Sequence, residues 1–355
     1  MVRDLDSVDG GILDPAQHGF DPQRLQHAHA VMERHVAERT TPGAVGLVVC
    51  SEGAVARWAV GHHTYDSDAP EALPDDIYDL ASLTKIVATT TVCMVLCSQG
   101  KLGLEDRVVG RIPGFQGEGR EVVTVRDLLA HSSGLPAYRR LYETCQSREE
   151  ALEAICDTPL TYATGSDSIY SDLGFILLGR VAELAGGESL DRLAEQLVFE
   201  PVGMEETAYR PGAELLARIP PTEQNENLRH RLVHGEVHDE NAAAMGGIAP
   251  HAGLFAPADD LGRFLRAWQG EGKLDGRGVF DPEWVRRFTT RADIVPGSTR
   301  ALGWDTVSPT GSMAGRHFSP RSYGHSGFTG TTLWADPERD LGVVLLTNRV
   351  HPTRE

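Results

Sequence analysis

From Ile86 to Cys97 the chain carries only apolar residues and threonine. Such a run is too long for one buried strand and too short to cross a bilayer, so it predicts a helix buried on every side. Gln99, Gly100 and Lys101 end it. Thr, Val and Ile are mediocre helix formers, so packing rather than propensity must hold this segment, the spine of the fold.

Around the spine the period changes along the chain. Pro22 to Glu38 puts Leu25, Ala28, Val31, Met32 and Val36 on one face, predicting a helix laid on a sheet. Gly43 to Cys50 and Val55 to Val60 are β-branched runs separated by Ser-Glu-Gly-Ala, predicting a hairpin. Thr124, with Asp127 three positions on, opens a capped helix that stops in the tight loop His131-Ser-Ser-Gly-Leu-Pro136. Helical spacing returns over 148–157, 170–185 and 189–199. From Gly246 the texture turns to Gly-rich strands (Ile248 to Phe255, Gly330 to Trp334, Leu341 to Thr347) with helices over 258–269 and 282–289. The expected organisation is an N-terminal arm over 1–20, a discontinuous α/β lobe over 21–66 and 247–355, and a mainly helical lobe over 67–246, with the site between lobes.

Composition narrows the partners. Lys and Arg number 33 against 51 Asp and Glu, a net charge of −18, so a nucleic acid or an anionic membrane would have to be bound against the overall field. The N-terminus has no apolar core of signal-peptide length, and the expected location is cytoplasmic. Five cysteines, odd in number and without zinc-ligand spacing, read as buried thiols. No cofactor or metal is expected. His230, His234 and His238 are spaced by four beside Asp239 and Glu240, which on a helix would stack metal ligands, but Gly235 argues against that helix. His62 and His63 read as surface residues.

Chemistry first shows at the start of the spine. Ser82 and Lys85 fall in its first turn, three residues apart, placing hydroxyl and amine on one face within hydrogen-bond reach. The first-turn N–H groups lack intrahelical partners, so the Ser82 N–H is free to receive a developing oxyanion. Roughly one S-x-x-K pair is expected by chance in a chain this long, so the pair alone decides nothing.

Further segments appear in order: Tyr170-Ser-Asp-Leu-Gly174, Pro201-Val-Gly-Met204, His251-Ala-Gly-Leu-Phe255 and Gly324-His-Ser-Gly327. With Leu80-Ala-Ser-Leu-Thr-Lys85 and the 131–136 loop, they make the chain resemble, from about Phe20 to Arg349, the penicillin-recognising serine hydrolases. That family comprises class C β-lactamases, DD-carboxypeptidases, D-aminopeptidases and β-lactamase-like esterases. The resemblance implies an α+β fold, an antiparallel sheet flanked by helices with an inserted helical lobe. It also implies Ser82 as acylated nucleophile, Lys85 and Tyr170 sharing the proton, and the strand after His325, Ser326 and Gly327 as one wall. Asp172, Ser326 and Gly327 would touch substrate, and the Phe328 N–H would be the second oxyanion donor. Whether Lys85 or Tyr170 is the base stays open.

Two positions depart from the lactamase pattern: His325-Ser326-Gly327 stands for Lys-Thr-Gly, and Tyr170-Ser171-Asp172 for Tyr-x-Asn. A neutral His and an ionised Asp make a poor cradle for a β-lactam carboxylate. The expected activity is therefore that of a β-lactamase-like esterase on a small-molecule or peptide substrate. D-Ala-D-Ala carboxypeptidase, D-aminopeptidase, weak β-lactamase, acyltransferase and acylated-sensor roles remain alternatives. Asp172 reads equally as a helix-start acid, and the stretch from Pro221 to Asn241 as a cleft rim or a structural loop. His325, near its ordinary pKa of about 6.5, would make activity rise through pH 6 to 7. The chain ends soon after its last strand, where relatives continue into a helix over the sheet, so self-association into a homo-oligomer is expected.

Overall fold

The computed structural model describes residues 11–226 and 228–355. Its main sheet has six antiparallel strands: β1 (Gly43–Cys50), β2 (Gly53–Gly61), β3 (Asp305–Thr306), β4 (Tyr323–Ser326), β5 (Thr332–Asp336) and β6 (Leu341–Thr347), in the spatial order β3-β4-β5-β6-β1-β2. Residues far apart in sequence thus close one sheet, β6 pairing with β1 from Thr347 opposite Ala44 to Gly342 opposite Val49.

β1 is buried at every position, as a strand covered on both faces must be. Its pleat divides it: Val45, Leu47 and Val49 join the main core, while Val48 and Cys50 meet Phe20 and Leu25 on the other face. The helix Ala258–Gln269 lies against the first face and Pro22–Ala37 against the second. Glycines allow the close approach, since a Cβ at Gly262 would come within 2.6 Å of Leu47 Cδ2 and one at Gly46 within 2.7 Å of Met32 Sδ.

Of the arm expected over 1–20, residues 1–10 lie outside the described residues. Residues 11–20 are held more firmly than the sequence suggests, with Leu13 N–H bonded to Ala54 O and a short 3-10 turn over Pro15–His18. Beside Pro22–Ala37 an apolar groove of about 700 Å³ runs along the sheet past Leu25, Met32, Trp58 and Leu345.

The spine is a helix buried almost throughout, but it begins as a π-helical turn, Lys85–Thr90, before the α-helix Thr91–Ser98. Thr91 Oγ1 donates to Ile86 O at 2.7 Å and Thr89 Oγ1 to Pro250 O at 2.7 Å, so the threonines that weaken helix propensity satisfy carbonyls instead. Two expectations need correction. The strand expected over Ile248 to Phe255 is only Leu254–Pro257, and it belongs to a small sheet with Ile77–Asp79 and Ala208–Tyr209; Gly246, Gly247 and Gly253 have positive φ and bend the preceding chain into a loop. His63 is buried, its Nε2 2.8 Å from Asp76 Oδ2, and is not a surface residue.

Candidate active site

Asp79 shapes the nucleophile turn. Its Oδ1 accepts from Ala81 N–H at 2.8 Å and its Oδ2 from His238 N–H at 2.6 Å. Burial pushes the Asp79 carboxyl up to about 6, against those two donors. Ala81 sits at φ 45, a costly left-handed conformation for a residue with a Cβ, immediately before Ser82.

Lys85 is completely buried, and its Nζ lies against Ser82 Oγ at 3.0 Å, His251 O at 3.1 Å and Asp172 Oδ1 at 2.7 Å, with the Tyr170 hydroxyl also in hydrogen-bond reach. The Asp172 contact is an ion pair off the angle of a straight hydrogen bond. Burial pulls the amine down, but Asp172 and Tyr170 together outweigh it and hold Lys85 above the ordinary lysine value. Asp172, expected on the substrate, is therefore engaged by the lysine. It is also the helix-start acid of the second reading, the first residue of the helix Asp172–Gly186, which Ser171 caps by accepting from Gly174 N–H at 3.1 Å.

Tyr170 precedes that helix. Its ring lies 4.8 Å from Lys85 Nζ, 5.3 Å from the Arg300 guanidinium and 4.6 Å from the His131 ring. Burial pushes the phenol up and Lys85 pulls it partly back, leaving it above the usual tyrosine value and protonated. The 131–136 loop fixes this ring: His131 Nδ1 accepts from Ser171 N–H at 3.0 Å, and burial keeps the imidazole neutral.

His325 and Ser326 lie on β4 itself, not ahead of the wall strand as expected. His325 Nδ1 donates to Ser326 O at 2.8 Å, which leaves Nε2 the bare acceptor, buried and without a partner among the described residues. Its ring is 5.6 Å from that of Tyr170. Burial, then Arg300 and Lys85, lower its pKa to about 3, so the titration expected near neutrality does not occur in the folded chain.

The loop after β4 is fastened to the nucleophile turn. Thr329 Oγ1 donates to Asp79 O at 2.8 Å and Thr331 Oγ1 to Leu80 O at 2.9 Å, while a Cβ on Gly327 would lie 2.4 Å from Leu80 O. Phe328 is thereby held beside Ser82, and among the described residues the backbone N–H groups of both make no hydrogen bond. The Phe328 side chain is half exposed, stacked on His238 at 5.8 Å with the Arg349 guanidinium 4.8 Å from its centroid.

Sequence reasoning missed Arg300, Arg349, Asp79 and the pair His251 Nε2 to Asp239 Oδ1 at 2.9 Å. The arginines stand alone in loops and carry no motif. The Pro221 to Asn241 stretch combines its two readings, since Arg354 clamps Glu223 and Glu240 while His238 reaches Phe328. His230, His234 and His238 lie in turns and loop rather than on a helix, and His234 Nε2 is 2.7 Å from Ile219 O, so the three do not stack.

The family model described as Beta-lactamase matches residues 28–355. The N-acetylmuramyl-L-alanine amidase of Bacillus subtilis (strain 168) is 33% identical over 97% of this chain and 85% of its own length. A protein of Escherichia coli (strain K12) named "Putative D-alanyl-D-alanine carboxypeptidase" is 33% identical over 95% of this chain and 85% of its own. Among solved structures, a penicillin-binding protein homolog from Caulobacter crescentus superposes with a TM-score of 0.75 at 20% identity, covering 93% of each chain.

Proposed function

The chain belongs to the beta-lactamase family of serine hydrolases, and from that premise we propose that it hydrolyses amide bonds of anionic, cell-wall-type peptides through an acyl-enzyme on Ser82. The observation that carries the reading is the pair of arginines at the nucleophile, Arg300 over Tyr170 and Arg349 over Phe328. In a chain of net charge −18 most cations have acid partners. Arg349 has none within 4 Å among the described residues, and Arg300 has only Asp305 at 3.7 Å. With Asp172 neutralised by Lys85, the site is more hospitable to a carboxylate than its His325-Ser326-Gly327 motif implies. The two relatives at 33% identity are named an N-acetylmuramyl-L-alanine amidase and a "Putative D-alanyl-D-alanine carboxypeptidase", both names of amide-bond hydrolases, which supports the same class.

In this reading Ser82 Oγ attacks the carbonyl carbon as its proton passes to the Lys85–Tyr170 side. The N–H groups of Ser82 and Phe328 receive the oxyanion, and the amine leaves with the returned proton. Water then repeats the sequence on the acyl-enzyme. Neutral His325 adds no charge, so uncharged acyl groups also fit; this favours the second reading, a β-lactamase-like esterase, and activated esters serve as convenient substrates either way.

The test compares an acidic muramyl-peptide, a D-Ala-D-Ala peptide, a p-nitrophenyl ester and a chromogenic cephalosporin, with Ser82→Ala as control. The reading expects one of the two peptides to give the highest kcat/KM among the unactivated substrates and Ser82→Ala to be inactive. Turnover of esters alone would assign the esterase reading instead.

A further inference from the structure

Lys85 poses a question of protons. An ammonium has three N–H donors and no lone pair, and the oxygens around Lys85 Nζ, those of Ser82, His251 and Asp172 with the Tyr170 hydroxyl also in reach, take up all three. A lysine in this state donates toward the serine and cannot accept its proton. Tyr170 beside it, its hydroxyl in reach of both Lys85 and Ser82, is also protonated and so cannot take the serine proton as it stands. The acylation step needs a vacant site for one proton, and the nearest anionic oxygen is 2.7 Å from Lys85.

We propose that Asp172, acting through Lys85, is the proton-holding partner that turns this lysine into the base for Ser82. The proton count closes. Lys85 passes one proton to Asp172, giving a neutral amine and a neutral carboxylic acid. The freed lone pair takes the proton of Ser82 Oγ as that oxygen bonds to the carbonyl carbon, leaving an ammonium and a tetrahedral oxyanion. When the C–N bond breaks, Lys85 gives a proton to the departing amine and recovers one from Asp172. Net charge over substrate, Ser82, Lys85 and Asp172 is unchanged throughout, which suits a site where Lys85 is shut off from water.

The surroundings support this division of labour. Ser171 caps the helix, so the Asp172 carboxylate is not tied up in a capping hydrogen bond. His251 O holds the third N–H, and the His251 ring is tied to Asp239, whose carboxyl that histidine and the Ala242 N–H hold well below the usual range against burial. The other groups facing Lys85 are Tyr170, neutral His131 and His325, the Asp239 carboxylate behind His251, and Arg300 beyond them. Of the two anions Asp239 is engaged by His251 and, among the described residues, only Asp172 is within 4 Å of Lys85 Nζ, which leaves Asp172 as the acceptor in contact.

The experiment is the pH dependence of acylation by a p-nitrophenyl ester from pH 7 to 9.5, above the Asp79 titration. Wild type is expected to be flat. In Asp172→Asn the carboxylate is gone while burial remains, so Lys85 loses its proton more readily and the neutral amine becomes the base by titration. The rate is expected to fall about tenfold at pH 7 and to recover to within about threefold of wild type at pH 9.5. Asp172→Glu keeps an acceptor and should keep the flat profile at a reduced rate. A parallel Asp172→Asn profile, depressed equally at every pH, assigns a structural role and overturns the proposal. Should Asp172→Asn fail to fold, Asp172→Glu decides: a new basic limb in that variant overturns it. The inference rests on the hydrolase reading, whose own failure looks different, as activity surviving in Ser82→Ala.

Discussion

The Thr331 hydroxyl donates to the carbonyl oxygen of Leu80 at 2.9 Å, tying the turn that carries the nucleophile to a loop 251 positions along the chain. With Thr329 on Asp79 O it sets the distance between the free N–H groups of Ser82 and Phe328. One neutral hydrogen bond is worth about 0.5–1.5 kcal/mol in stability, little for the fold. Placement of oxyanion donors tolerates only about 0.5 Å. Thr331→Val is therefore expected to lower kcat for ester hydrolysis about tenfold, with KM nearly unchanged and a Tm loss of about 2 °C. An unchanged kcat in that variant would show that the loop is placed by other contacts.

Gly327 makes the same junction sterically. Its φ is not in the left-handed region, but an added Cβ would meet Thr331 Oγ1 at 2.3 Å and Leu80 O at 2.4 Å. Backbone does not yield as a side-chain tip does, so Gly327→Ala must push Phe328 away from Ser82. Removing an oxyanion donor costs on the order of 10²–10³ in rate, and a loss of that size is expected in single-turnover acylation. Circular dichroism of the variant should match wild type; retention of more than about a tenth of the rate would exclude Phe328 N–H as a donor.

How much of this was legible beforehand follows from the kind of signal each element carries. The helices Ala258–Gln269 and Pro282–Thr289 have strong 3.6-residue patterns, the second behind an Asp281 cap, and both appear over the ranges read from sequence. Leu341–Thr347 is an unbroken strand pattern and does likewise. β4 is four residues, Tyr-Gly-His-Ser, with no β-branched member, and it exists because β3 and β5 pair with it. Residue types at Ser82, Lys85 and Tyr170 were readable from spacing and resemblance. The partner of Asp172 was not, because whether an acid faces substrate or lysine depends on side-chain direction at a helix start. Arg300 and Arg349 lie in loops, where tertiary placement alone gives them meaning.

His325 yields a pH prediction opposite to the one its residue type suggests. Its folded pKa is about 3 against an ordinary 6.5, because burial and then Arg300 and Lys85 disfavour the cation. Between those values the unfolded chain binds a proton that the folded chain refuses, so stability is full above about pH 6.5 and falls as pH drops toward 3. His131, lowered for the same first reason, adds in the same direction. The raised carboxyls of Asp79 and Asp260, both pushed up to about 6, act in the opposite sense, so the readout is a difference: in thermal melts from pH 8 to 4, His325→Gln should lose less Tm below about 6.5 than wild type. Activity of the folded enzyme should show no limb from His325 between pH 6 and 7, and any limb near 6 belongs to Asp79 and survives His325→Gln. An acid limb at 6 to 7 that His325→Gln abolishes would mean the imidazole is charged in the working site.

The arginines give the sharpest test of substrate class. Arg300 flanks Tyr170 and lowers the pKa of His325, while Arg349 flanks Phe328, so the two cations bracket the stretch His325 to Phe328 at the end of β4. A carboxylate at either end of a bound peptide would meet a guanidinium with little competition from protein acids, since among the described residues Arg300 has only the 3.7 Å contact to Asp305 and Arg349 has no acid partner within 4 Å. Charge-assisted hydrogen bonds contribute roughly 1.5–3 kcal/mol, halved or more where water screens them. Arg349, the more exposed of the two, should therefore matter less than Arg300. We expect Arg300→Gln to raise KM for an acidic peptide about tenfold and Arg349→Gln about threefold, each with kcat nearly unchanged. Neither should alter KM for a neutral p-nitrophenyl ester. The same peptides with their carboxylates converted to carboxamides should show no difference between wild type and either variant. Equal losses on charged and uncharged substrates would place these side chains in the architecture of the site rather than in recognition, and would remove the electrostatic support for an anionic peptide.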